Sequence, residues 1–240
     1  MDIPTYDSSV SAFDGIRTVS PALERYTTDV LLGDLWKRPQ LSPRDRSIVT
    51  LSVLIARNQS AELPYYVDLA LDSGLEPGEI SELITHLAFY SGWANALAAV
   101  KATNPVFGRR VIAATQLAPA SVDLLPIDAA AVSQLQTAAQ NFGAVAPGLV
   151  QFSTEVLFDN LWLRPGLAPR DRSLATLSTV VATGQFPQLA SYISRAMDNG
   201  LTRAQMAEVM TQLAFYSGWS SAFTALPIVK DVFEKRPRQS

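Results

Sequence analysis

Leu35-Trp-Lys-Arg-Pro-Gln-Leu-Ser-Pro-Arg-Asp-Arg-Ser-Ile-Val-Thr-Leu-Ser-Val53 returns as Leu161-Trp-Leu-Arg-Pro-Gly-Leu-Ala-Pro-Arg-Asp-Arg-Ser-Leu-Ala-Thr-Leu-Ser-Thr179. Leu87-Ala-Phe-Tyr-Ser-Gly-Trp93 returns unchanged as Leu213 to Trp219, again at an offset of 126 residues (161 minus 35). A constant offset without gaps means one unit written twice. Positions kept in both copies serve a shared scaffold or site, and positions kept in one mark a chemical difference between the copies.

Within each copy the apolar spacing is helical. Pro21 to Trp36 places Leu23, Tyr26, Val30 and Leu31 on one side and predicts a helix, repeated at Pro147 to Trp162. Ser42 before Pro43 gives an N-cap and a first-turn proline, so a second helix starts there and runs to about Arg57; its copy has alanine at the cap. Leu63 to Ser73 predicts a third helix, stopped by Gly74 as its copy is stopped by Gly200. A fourth and longest helix is expected from Pro77 or Arg203 to about Lys101 or Leu226. Apolar alternation never persists between turn markers, so each half reads as all-α. The expected organisation is an N-terminal arm (1–17), repeat one (18–103), a linker (104–130) with a short helix over Arg110 to Gln116, repeat two (131–234) and a tail (235–240).

Hydrophobic residues make up 48% of the 240 and charged residues 17%, which is globular and poor in charge. The surplus apolar surface is expected to go into contacts between halves or between chains. A net charge of −3 gives no broad footprint for nucleic acid or an anionic membrane. The absence of cysteine excludes disulfides, thiolate nucleophiles and cysteine-ligated zinc. No basic region followed by an apolar run opens the sequence, and a cytoplasmic protein is expected. Leu83 to Val100 is apolar, but Thr85, His86, Ser91, Gly92 and Asn95 interrupt it, so it reads as a buried helix and not a membrane span.

Several side chains are candidates for chemistry. His86 is the one imidazole, and its repeat partner is Gln212; it reads either as a hydrogen-bonded core group or as a proton-transfer group. With no second histidine and no cysteine, no metal site is expected. Asp45-Arg46 and Asp171-Arg172 open a helix in both halves. The arginine either bridges to a neighbouring element or grips a substrate carboxylate. Glu62, replaced by Gln188 in the second copy, precedes Tyr66 by one helical turn, a spacing that lets a carboxylate and a phenol share a proton. Phe89 to Trp93 reads as helix packing or a subunit contact, with a ligand wall as the alternative.

Gly33-Asp34-Leu35-Trp36-Lys37-Arg38-Pro39-Gln40-Leu41, then Arg46, Glu62-Leu63, Ala70-Leu71, Gly74-Leu75, Glu79-Ile80 and Tyr90-Ser91-Gly92-Trp93, together resemble the carboxymuconolactone decarboxylase family of the alkylhydroperoxidase-D-like superfamily. The resemblance implies an all-α tandem repeat of that helical domain, cofactor-free decarboxylation of a lactone acid, and trimers or hexamers with sites near subunit contacts. Relatives with two spaced cysteines are peroxidases; Gln59 and Glu62 stand at those places here. The sequence departs from the family where a glutamate is replaced by Ser47 and Ser173, and a histidine by Tyr66 and Tyr192. An unperturbed tyrosine, with a pKa of about 10, is a far weaker base than an imidazole and serves better as donor or acid.

The expectation is therefore a cofactor-independent, decarboxylase-like enzyme for a small carboxylated, lactone or polyketide-like substrate. Arg46 would hold a carboxylate or enolate oxygen, Tyr66 would donate, and Glu62 and His86 would handle protons. Trp36 and Trp93 would line the pocket, with Arg172 and Tyr192 as substrate-binding counterparts in the second half. An isomerase or cyclase, or a non-catalytic oligomeric binding protein, are the alternatives. Two fused copies would replace a dimer, so a trimer of this chain would imitate a hexamer.

Overall fold

The computed structural model describes Phe13 and residues 15–126 and 139–236. Most of the expected arm, the junction between linker and repeat two, and the end of the tail lie outside the described residues. No strand occurs among the described residues, and none of their helices is long and apolar enough to cross a membrane. Repeat one holds α1 (Ile16–Val19), α2 (Pro21–Arg25), α3 (Pro43–Ala56), α4 (Leu63–Asp72), α5 (Pro77–Ser91) and α6 (Trp93–Arg109). Repeat two holds α7 (Pro147–Phe152), α8 (Pro169–Ala182), α9 (Leu189–Asp198), α10 (Arg203–Ser217) and α11 (Trp219–Lys235).

Helices α3, α4, α8 and α9 begin and end close to where the spacing predicts. Ser42 Oγ accepts from the Asp45 N–H at 3.1 Å, which satisfies one of the free donors at the start of α3. Three expectations change. The helix expected over Pro21 to Trp36 is α2 followed by a wide π turn over Tyr26–Leu32 and a 3₁₀ turn over Leu35–Lys37, and repeat two does the same with Ser153–Phe158 and Leu161–Leu163. The long fourth helix is broken in both copies. Gly92 and Gly218 each take φ 94°, a left-handed conformation that costs glycine little and turns α5 into α6 and α10 into α11. Finally, α6 passes the expected boundary at residue 103 and runs to Arg109, and the short helix expected near Arg110 to Gln116 is a 3₁₀ turn over Ala114–Gln116.

Helices α3 and α8 pack against each other at the centre, and all other long helices surround them. Every residue of α3 from Asp45 to Ala56 is buried, as is every residue of α8 from Asp171 to Val181. Helices enclosed on all sides are normally apolar all round, yet each carries an arginine of 0% exposure, Arg46 and Arg172. Each arginine finds its counter-charge on the other repeat. Arg46 pairs with Glu208 of α10 at 2.8 Å, and Arg172 pairs with Glu82 of α5 at 2.6 Å. The helix starts exchange partners too: Arg170 binds Asp45 at 2.7 Å, and Arg44 binds Asp171 at 2.7 Å and also Glu79. The two repeats thus form one interlocked unit around a pseudo-two-fold axis.

Burial alone pushes the carboxyls of Glu82 and Glu208 up. The bonds and charges of Arg164 and Arg172, and of Arg38 and Arg46, outweigh it and hold both below the ordinary carboxylate range. A carboxyl whose folded pKa lies below its unfolded value contributes stability at pH values above the unfolded one, about 4.3 for glutamate, and loses that contribution as pH falls through the folded value. Urea denaturation should therefore show stability falling steeply below about pH 4. At neutral pH, Glu208→Gln, which leaves Arg46 buried without a counter-charge, should cost about 3–5 kcal/mol. A loss below about 1 kcal/mol would show that the pair behaves like an exposed one and would contradict the interlock.

Candidate functional site at the repeat interface

The exchange of partners creates two polar sites, each built from both repeats. In the first, α3 supplies Arg46 and Thr50, α4 supplies Tyr66, the loop before α3 supplies Trp36 and Arg38, and α10 of the other repeat supplies Glu208, Gln212 and Tyr216. Arg46 donates to Glu208 Oε1 (2.8 Å), Gln212 Oε1 (2.9 Å) and the Arg38 carbonyl (2.9 Å). Arg38 straps the same carboxylate through Nε at 2.8 Å. Gln212 Nε2 donates to Thr50 Oγ1 at 3.1 Å. Trp36 Nε1 donates to the Tyr216 hydroxyl at 2.8 Å, and that hydroxyl donates to Tyr66 at 3.1 Å.

The second site is the same arrangement with the repeats exchanged. Arg172 donates to Glu82 and to the Arg164 carbonyl (2.9 Å), Arg164 straps Glu82, and Trp162 Nε1 donates to the Tyr90 hydroxyl at 2.8 Å. The Tyr90 and Tyr192 rings meet edge to face at 6.1 Å. His86 replaces glutamine here. Its Nε2 lies 2.7 Å from Thr176 Oγ1, and because that hydroxyl donates to the Arg172 carbonyl, the network assigns the proton to Nε2. The segment after α6 seals one end of this site: Arg164 donates to the carbonyls of Pro119 (2.8 Å) and Ala120 (2.9 Å).

Protonation follows from enclosure. Burial, helped by the Arg172 charge, holds His86 well below its ordinary 6.5, so the imidazole is neutral. Burial also raises all four phenols. Tyr216 is pushed up to about 12, and Tyr66, Tyr90 and Tyr192 also lie above the ordinary value of about 10. Each site therefore offers neutral hydroxyls as hydrogen-bond donors.

The expected grouping of Arg46, Glu62, Tyr66 and His86 in one pocket of repeat one is not formed. Arg46, Tyr66 and Trp36 join the first site; His86, Arg172 and Tyr192 join the second. Arg46 and Arg172, expected to hold substrate, are fully buried and bonded to protein partners. Glu62 is half-buried at the start of α4, close enough for its charge to act on Tyr66. Trp93 lines neither site: it is 61% exposed and packs on Phe89. A surface groove of about 910 Å³ lies along α10 and α11, lined by residues of neither site, including Phe223, Phe233 and Arg203. Sequence reasoning missed Arg38, Arg164, Glu82, Glu208, Trp162 and the hydroxyls of Tyr90 and Tyr216. Their signal was retention: both copies keep arginine at 38 and 164, glutamate at 82 and 208, and tyrosine at 90 and 216.

Comparison with known proteins agrees with the duplicated architecture. The profile of the carboxymuconolactone decarboxylase family matches residues 21–105 and again 147–231. Similar proteins include 4-carboxymuconolactone decarboxylase of Acinetobacter baylyi, 35% identical over 83 residues, which cover 35% of this chain and 62% of the relative. They also include nitrosuccinic acid decarboxylase of Metarhizium robertsii, 32% identical over 77 residues, which cover 32% of this chain and 54% of the relative. The match thus spans little more than half the length of each relative. With two profile matches laid over two interlocked helical repeats, the chain belongs to the carboxymuconolactone decarboxylase family.

Proposed function

We propose that the chain is a cofactor-independent, decarboxylase-like enzyme that acts on a small carboxylated, lactone or polyketide-like substrate at the repeat interface. The observation that carries this reading is the pair of neutral phenols at each site, Tyr66 with Tyr216 and Tyr90 with Tyr192, beside a tryptophan N–H. In decarboxylation the bond to the carboxylate carbon breaks, carbon dioxide leaves, and the electron pair moves into an acceptor group on the remaining fragment. Fixed donors stabilise that charge, and a phenol, poor as a base, returns a proton to carbon. Both relatives are named as decarboxylases, which supports the reaction class. Proton transfer by the same groups would also serve isomerisation or ring closure. A second reading, a non-catalytic binding protein, is favoured by the commitment of Arg46 and His86 to buried partners.

Release of carbon dioxide from 4-carboxymuconolactone and from nitrosuccinate separates the two. The enzyme reading predicts release from at least one of them, lowered about 100-fold or more in the doubly substituted Tyr66→Phe, Tyr192→Phe chain. Release from neither substrate, or full activity in a folded double variant, would contradict it.

Self-association belongs to the same proposal. Trp93 and Trp219 are 61% and 54% exposed, and the exposed pairs Leu97 with Phe223 and Val100 with Leu226 follow them along α6 and α11. Solvent alone gives no reason to keep apolar side chains at the same exposed places in both copies. A chain with two like faces closes into a ring through face-to-face contacts. Light scattering should give a trimer, and a monodisperse monomer would count against it.

A further inference from the structure

The two sites are alike in scaffold and unlike in cover. Arg164 directs Nη1 and Nη2 to the carbonyls of Ala120 (2.9 Å) and Pro119 (2.8 Å), in the segment that follows α6. Farther along, the Leu125 N–H donates to the Leu163 carbonyl at 2.7 Å. None of the described residues covers Arg38 in this way, and its side-chain bonds go to Glu208. The Arg164 side chain is accordingly 12% exposed and that of Arg38 39%. Sequence differences between the copies follow the cover. A Cβ on Gly78 would lie 3.1 Å from the Gln116 carbonyl oxygen and 3.4 Å from the Ala118 nitrogen; one on Gly166 would meet Glu82 Cγ at 2.8 Å and Ala118 Cβ at 3.1 Å. Neither glycine has a left-handed φ, so close passage of the segment is what suits them to glycine. The uncovered copy has Ala204 and Gln40 at these places, and exposed Lys37 where the covered one has half-buried Leu163.

We propose that Ile112 to Leu125 form a strap that lifts from Arg164 as a unit, so that the two sites differ in access: the first stands open at Arg38, and the second is entered only when the strap lifts. The segment is pinned and not packed. None of its residues is fully buried, and a cleft of about 720 Å³ opens between it and the turn at Pro165 and Gly166, lined on the strap side by Ser121, Val122 and Asp123 among others. A segment held by a few hydrogen bonds, with little apolar surface buried, opens at far lower free energy than the helices beneath it. Arg164 also joins the strap to the interior, because the same guanidinium grips Glu82, the counter-charge of Arg172. Lifting the strap returns two donors of Arg164 to water and leaves Glu82 bound to both arginines, so no buried charge is stranded when the site opens. The unequal access holds for whatever ligand these sites take.

Two measurements on the full chain test this without turnover. The first is hydrogen exchange at the Leu125 amide, whose N–H closes the strap: it should exchange at least about 100-fold faster than amides in the middle of α8, at a rate that low urea leaves unchanged. The second is mass-spectrometric mapping of arginine modification by phenylglyoxal. Arg38 should react at least about tenfold faster than Arg164 in the wild type. Gly78→Leu, which sets a side chain against the strap backbone alone, should bring Arg164 to within about threefold of Arg38. Ala204→Leu, the same change in the other repeat, should leave both arginines as they are in the wild type. A Leu125 amide that exchanges no faster than those of α8 overturns the strap, because the segment is then fixed structure. Arg164 as reactive as Arg38 in the wild type, or still protected in a folded Gly78→Leu chain, overturns the unequal access.

Discussion

Two guanidinium groups with no contact to water stand at the centre of this protein, and among the described residues neither has a counter-charge within its own repeat. A buried arginine is tolerable only if its charge and its donors are met. Arg46 finds its counter-charge on α10 and Arg172 on α5, so each half supplies the charge the other lacks, although the Nε of Arg46 is buried without a hydrogen-bond partner. Such a pair adds little net stability over a well-packed apolar alternative, but a half that separates strands its arginine. The interaction therefore specifies which surfaces must meet. Once α5 lies across α8 and α10 across α3, Tyr90 is carried to Trp162 and Tyr216 to Trp36, and the phenol pairs follow.

The same constraint shapes the chemistry. The arginines at positions 46 and 172 are neutralised before any ligand arrives, and the phenols are held neutral by the dry surroundings. The two sites differ in their interior, where Gln212 of one stands against His86 of the other, and nearer the surface, where Glu62 stands against Gln188 and Leu69 against Arg195. A duplicated site leaves the chain free to keep one copy for shape while the other changes charge.

Much of the fold is legible in the sequence, because helical spacing, a proline at a helix start and a glycine at a helix end are local signals. The break at Gly92 and Gly218 is not, since the apolar pattern continues through it and a glycine inside an apolar run does not announce a φ of 94°. The π turns after α2 and α7 hide for a similar reason: the period shifts by a single residue over one turn. The site is legible only in part. Arg46, Glu62, Tyr66 and His86 belong to one repeat, and reading that repeat alone groups them. The exchange that sends His86 to Thr176 and Arg46 to Glu208 is a contact between copies, and within one sequence its trace is the joint retention of Arg46 with Arg172 and Glu82 with Glu208. Trp93 misled because an aromatic beside a glycine fits an outer face as well as a pocket wall.

If the reciprocal arginine and glutamate pairs are what unite the repeats, a single repeat carries both halves of a pair it cannot close on itself. Arg46 and Glu82 of one copy would then be satisfied only by Glu82 and Arg46 of another. The solution mass of residues 13–126 expressed alone, measured under conditions where its helical content is retained, tests this most directly. The account predicts a dimer that dissociates only as it unfolds. A folded, helical monomer of that half would contradict it.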